Sequence, residues 1–93
     1  MIKHIVMFKL KNPDEAGEMR NILNTLDGKI DTIREWEVGI NIGQSSKPYE
    51  VVVYSVFDDD EGLQTFRNHP KHLQVKEKIA GFIETSGTCD YEI

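Results

Sequence analysis

Tyr49-Glu50-Val51-Val52-Val53-Tyr54-Ser55-Val56-Phe57 is the stretch whose reading decides the fold. Side chains along a strand alternate between faces, so Val51, Val53 and Phe57 share one side and Val52, Tyr54 and Val56 the other. Ser55 is the main interruption. A strand with one wet face shows a polar residue at every second position. This one is apolar on both sides and must be covered twice.

Working back from it, Gly43 to Pro48 holds Gly, two Ser and Pro, the chemistry of a loop joining two strands. Before that loop, Trp36, Val38, Ile40 and Ile42 alternate with Glu35, Glu37, Gly39 and Asn41, which predicts a second strand with one wet face. A linking turn with Ile30 and Ile33 precedes it. Ala16, Met19, Ile22, Leu23 and Leu26 recur at helical spacing, and Gly28 is placed to end that helix with positive φ. Asn12-Pro13-Asp14-Glu15 supplies its N-cap, a proline at the first helical position and the acid of a capping box. From Ile2 to Lys11 the chain alternates again, with Ile2, His4, Val6, Phe8 and Leu10 on one face. That predicts the first strand.

Working forward, Asp58-Asp59-Asp60-Glu61 puts acids where a helix start favours them, and capping accounts for the cluster without a metal. Leu63 and Phe66 form the inner side of this helix. His69-Pro70 breaks or re-aims it, and Leu73, Lys76, Ile79 and Phe82 resume the pattern to about residue 83. From there Thr85, Gly87, Cys89, Tyr91 and Ile93 alternate with Glu84, Ser86, Thr88, Asp90 and Glu92, a half-exposed last strand.

The order β-α-β-β-α-β predicts an α+β, ferredoxin-like fold, a four-stranded antiparallel sheet with its helices on one face. Two helices cannot cover two faces. The second face of Tyr49–Phe57 therefore needs the sheet of a second copy, and the expected assembly is a homodimer closing into an α/β barrel.

The 93 residues make a single domain, since domains commonly run about 100–150 residues. With 11 Lys plus Arg against 16 Asp plus Glu, the net charge of −5 works against binding nucleic acid or anionic lipid. The longest apolar run falls far short of the roughly 20 residues a membrane span needs, and the amino terminus opens directly on alternation, so neither a span nor a signal peptide is expected. Cys89 is the single cysteine and cannot form an internal disulfide, which makes the cytoplasm the default location. On the strand face that carries Tyr91 and Ile93, it is expected to be an inert buried thiol.

Histidine normally changes charge near neutral pH, so its three copies are the candidate reactive groups. His4 lies on the apolar face of the first strand, where a satisfied core residue or a pocket residue fits. If a helix begins at Pro70, His69 sits near its N-cap and His72 in its first turn. A helix N-terminus lowers the pKa of a histidine, which suits His72 to the role of general base. The pair lacks the third ligand a zinc site requires, so no metal is assigned. No serine stands in a nucleophile elbow, and Gly39-Ile40-Asn41-Ile42-Gly43 lacks phosphate-loop spacing.

Asn68-His69-Pro70-Lys71-His72-Leu73 resembles the HPxH signature of the stress-responsive dimeric α/β-barrel (Dabb) family. His4-Ile5-Val6 with Phe8 and Lys9, Glu37-Val38-Gly39-Ile40-Asn41, Tyr54-Ser55-Val56-Phe57 and Asp90-Tyr91-Glu92 match it in order, over nearly the whole chain. The resemblance implies a ferredoxin-like protomer whose sheet packs on that of its mate. It extends distantly to plant polyketide cyclases of the olivetolic acid cyclase type, which close a ring with a tyrosine and the second histidine of HPxH. Carried over by position, His72 is the base, His4 lines the pocket and His69 supports the turn, while Phe66 stands where the tyrosine would be. Some plant members bind magnesium; no cofactor is assigned here.

The leading expectation is a homodimer that binds a small apolar or aromatic molecule between sheet and helices, in a pocket formed by His4, Phe66, His69 and Tyr54. The alternatives are a lyase or cyclase using His72, with Tyr54 or water replacing the absent hydroxyl, and a monooxygenase-like dimeric barrel.

Overall fold

Alternation along Ile2–Leu10 forms β1, whose Val6, Phe8 and Leu10 turn toward the helices. The computed structural model describes residues 1–43 and 49–93, so the predicted loop lies, beyond Gly43, outside the described residues. After β1, Asn12 is extended and its side chain accepts from Asp14 N, opening a 3₁₀ turn, Pro13–Glu15. The cap bond falls on Asp14 rather than Glu15 because this first turn is 3₁₀ and tighter than the predicted α turn. It runs into α1, Ala16–Leu23, which buries Ala16, Met19 and Leu23. A second 3₁₀ turn, Asn24–Leu26, adds Leu26, and Gly28 at φ 73° reverses the chain.

β2, Glu35–Ile40, packs Trp36, Val38 and Ile40 on the core and ends earlier than the alternation predicts. Ile42 lies beyond it, 89% exposed. Asn41 is the reason: its Oδ1 accepts from Gly43 N and its Nδ2 donates to Tyr49 O, a side-chain turn that competes with the ladder. β3, Val51–Phe57, then pairs antiparallel with β2 on one side and β1 on the other, and β4, Ile83–Glu92, completes the order β2-β3-β1-β4. This is the ferredoxin-like antiparallel sheet expected, with its two central strands drawn from opposite halves of the chain.

Asp59 caps α2, Asp60–Asn68, by accepting from Gly62 N, and Leu63 and Phe66 are its buried side. His69 interrupts with extended ψ of 135°, and Pro70 starts α3, Pro70–Ile79. The inward residues of α3 are Val75 and Ile79, with His72 partly covered, whereas Leu73, predicted inward, is 49% exposed. Steps of three from Leu73 through Lys76 drift around the helix, whereas Val75 and Ile79, four apart, stay on one face. A last 3₁₀ turn, Ala80–Phe82, leads into β4.

The faces of β4 also differ from expectation. Its register sets Asp90 opposite His4, Thr88 opposite Val6 and Ser86 opposite Phe8, so these three polar residues lie on the helix side. Cys89 pairs with Ile5 on the other side and is exposed, not buried. Nothing in the alternation of a half-polar strand says which of its faces meets the helices; the pairing with β1 decides it.

All helices cover one side of the sheet, where Met19, Phe57 and Ser55 are wholly enclosed. The opposite side presents Ile5, Met7, Val52 and Tyr54 near the centre, with Lys3 above the Tyr54 ring at 5.4 Å and Lys9, Glu35 and Glu37 around them. Val56, counted with this open face, is already buried within the protomer. Among the described residues, no helix is long and apolar enough to cross a membrane.

Phe57 meets the aromatic ring of Phe66 at 5.2 Å between centroids and has no exposed surface. Phe57→Ala is expected to lower the unfolding free energy by about 3–5 kcal/mol in urea denaturation, the cost of lost burial plus a cavity at the end of β3.

Candidate functional site

Between the β1–β4 half of the sheet and α3 lies a half-enclosed cavity of about 650 Å³. That volume falls within the range typical of small-molecule sites, about 300–1,000 Å³. Val6, Phe8, Val53, Leu26, Val75 and Ile79 make its apolar body. His4, His72, Ser86 and Thr88 bring imidazoles and hydroxyls to it, and Phe66 forms part of the wall between the two histidines.

The HPxH segment owes its local shape to helix-end chemistry. An α-helix leaves its last carbonyls and first amides without internal partners. At the end of α2, the Arg67 carbonyl is satisfied by His72 Nδ1–H at 3.0 Å. At the start of α3, Lys71 N donates to His69 Nδ1 at 3.1 Å, and Pro70 occupies the position that needs no amide. His69 is thereby the cap of α3 and lies outside the cavity lining.

A carbonyl only accepts, so His72 carries its proton on Nδ1 and leaves Nε2 as an unprotonated lone pair. Half-burial pushes the His72 pKa below the usual histidine value, and the nearby charges of Lys76, His4 and Arg67 push the same way against the opposing carbonyl bond. The ring stacks on Phe66 at 4.1 Å and 34°. His72 is therefore a neutral, oriented base at neutral pH.

His4 is held differently. Its Nδ1 meets Asp90 Oδ1, while Arg67 Nη2 donates to Asp90 Oδ2, so one carboxylate joins β1, β4 and the end of α2. With Nδ1 bound to the carboxylate, His4 also directs Nε2 away from Asp90. Its ring lies edge-on to both Phe57 and Phe66, at 6.4 and 6.0 Å between centroids.

Of the residues singled out from sequence, the fold brings His4, Phe66 and His72 onto one cavity and leaves His69 and Tyr54 out of it. Tyr54 alternates onto the opposite side of the sheet, opposite Ile5, where its hydroxyl cannot reach a ligand among the helices. Sequence reasoning missed Arg67 and the role of Asp90. Only the closing Asp90-Tyr91-Glu92 match hinted at the latter, since its partner His4 lies 86 residues away. Among the described residues, no three His, Cys, Asp or Glu side chains cluster as metal ligands.

The model of the stress-responsive A/B barrel domain matches residues 2–93. The chain belongs to the Dabb family. A relative in Streptomyces coelicolor, itself uncharacterised, is 32% identical over 77 residues, covering 77% of this chain and 79% of that one. A dimeric, ferredoxin-like protein of unknown function from Bacteroides fragilis superposes with a TM-score of 0.86 at 28% identity, over 99% of this chain and 95% of its own. The hydroxynitrile lyase of Passiflora edulis superposes at 0.83 with 17% identity, over 99% and 92% of the two chains. At that identity the likeness is one of fold.

The lowered His72 pKa has a signed consequence. Above pH 6.5, the ordinary histidine value, the ring is neutral folded or unfolded and stability is at its full level. As pH falls, the unfolded chain takes the proton first, so stability declines from about 6.5 down to the folded pKa and then levels off. The His72 ring should titrate below 6.5 by NMR, and the difference in unfolding free energy between wild type and His72→Gln should vary only in that window.

Proposed function

We propose that this Dabb protein is a homodimer, paired through the uncovered side of the sheet, that binds a small apolar or aromatic molecule in the cavity of each protomer. The single observation carrying the binding claim is the cavity itself, apolar in body with two imidazoles and two hydroxyls converging on it. Pairing is supported by the apolar centre and charged rim of the open face, the distribution typical of protein interfaces, and by the dimeric Bacteroides relative. Light scattering at micromolar concentration should return twice the chain mass, and Tyr54→Lys should return the monomer mass. Acetophenone should shift the NMR signals of Val6, Val53 and Ile79, and Val6→Trp, which fills the cavity, should remove those shifts. A wild-type monomer overturns the first half of the reading, and unshifted signals at millimolar ligand overturn the second.

The orientation of His72 favours a second reading, proton transfer. Nε2 takes a proton from a carbon beside a substrate carbonyl, and the C–H electron pair passes into the carbonyl as an enolate. The enolate oxygen accepts from the Ser86 or Thr88 hydroxyl, and the imidazolium returns the proton to the product. Phe66 has no hydroxyl to share in this, so a serine or threonine takes the place that Tyr54 cannot fill. Deuterium exchange at the carbon beside the carbonyl of acetophenone, followed by NMR, should slow by about 10²–10⁴-fold in His72→Ala. Exchange at the wild-type rate in that variant overturns the reading.

A further inference from the structure

The cavity carries a charge opposite to that of the chain. Acids outnumber bases 16 to 11 over the sequence, yet no Asp or Glu is among the residues lining the cavity, whereas Arg67 and Lys76 both are. Arg67 is already engaged: Asp90, outside the lining, holds it and His4 together. Lys76 is in a different position. It stands four residues after His72, one turn along α3 and on the same face, and it takes part in none of the ion pairs among the described residues. The adjoining acid on the helix, Glu77, is rotated away from it by about 100°.

We propose that the cavity selects anionic ligands, small carboxylates on an apolar or aromatic body, and that Lys76 sets this preference. The inference rests on the cavity being a ligand site. A ligand entering there replaces water around the Lys76 ammonium, which no carboxylate among the described residues pairs with. A carboxylate restores the lost interaction, a neutral amide restores less of it, and a cation adds repulsion to the desolvation. The apolar side chains of Val6, Val53, Phe66 and Ile79 accept the ligand's body. A single ammonium suits a monoanion better than a dianionic phosphate. Lys76 follows His72 by one helical turn, about 5.4 Å along the axis, so a ligand whose carboxylate meets Lys76 lies on the side of α3 that carries His72.

Three ligands of nearly one shape, benzoate, benzamide and benzylammonium, separate the outcomes by calorimetry on the intact protein. Benzoate should bind tightest and benzylammonium weakest. Lys76→Gln should weaken benzoate by about three- to fivefold, the scale of one exposed ion pair, and leave benzamide unchanged. The preference of the wild type should shrink between 0.05 and 0.5 M salt, as an exposed charge pair requires. Equal binding of benzoate and benzamide, or an undiminished preference in Lys76→Gln, overturns the inference and leaves the cavity reading standing. No binding of any of the three at millimolar concentration overturns both.

Discussion

The pairing of β1 with β3 at the centre of the sheet is the constraint on which the rest of the structure depends. It joins the first strand to one that begins some forty residues later, and its register sets Val6 against Val53 and His4 against Ser55 on the helix side. Ser55 is wholly enclosed there, with its hydroxyl donating to the His4 carbonyl. A slip of one residue would turn one strand over relative to the other, either exposing Val53 and Phe57 of β3 or exposing Phe8 and burying Lys3 and Lys9 of β1. Once this pair is fixed, β4 can only add at the free edge of β1, and that edge is where Asp90 meets His4.

The site arises from the same geometry with little added. Its two imidazoles are oriented by groups that the fold has to satisfy anyway. The carbonyl at the end of α2 needs a donor, and His72 supplies one, which also leaves Nε2 unprotonated. Arg67 and His4 reach Asp90 from a helix end and a neighbouring strand, and the shared carboxylate ties those two lining residues together from outside the cavity. Structural need and chemical readiness are therefore not alternatives in the HPxH segment. His69 serves the turn alone, His72 serves the turn and the cavity, and Pro70 makes the turn abrupt enough to separate them.

Some of this was legible in the residues. The strand at Val51–Phe57, the acid caps before Gly62, the stripe of Ala16, Met19 and Leu23 and the break at His69-Pro70 all follow from short-range periods and helix-end rules. Misreadings came where two elements had to agree. Leu73 is exposed because a pattern advancing by threes through Lys76 drifts off the face that Val75 and Ile79, four apart, share. Cys89 was placed inward because the strand has a more apolar parity, but that parity faces away from the helices. Ile42 was placed in β2 because alternation continues through it, while the Asn41 side chain had already turned the backbone.

By itself the sequence determined the order of the strands and of the helical segments between them, with the break at His69-Pro70, because hydrophobic period, proline and capping residues act within a few positions of one another. From that order came the ferredoxin-like sheet and its need for a cover on each side. Only the tertiary structure decided that Asp90 serves His4, that Tyr54 is shut away from the cavity, and that Lys76 joins a lining that holds no carboxylate. Those relations are set by strand register and by the rotation of α3 about its axis. Neither is written in local spacing, since both are fixed by packing between segments far apart in the chain.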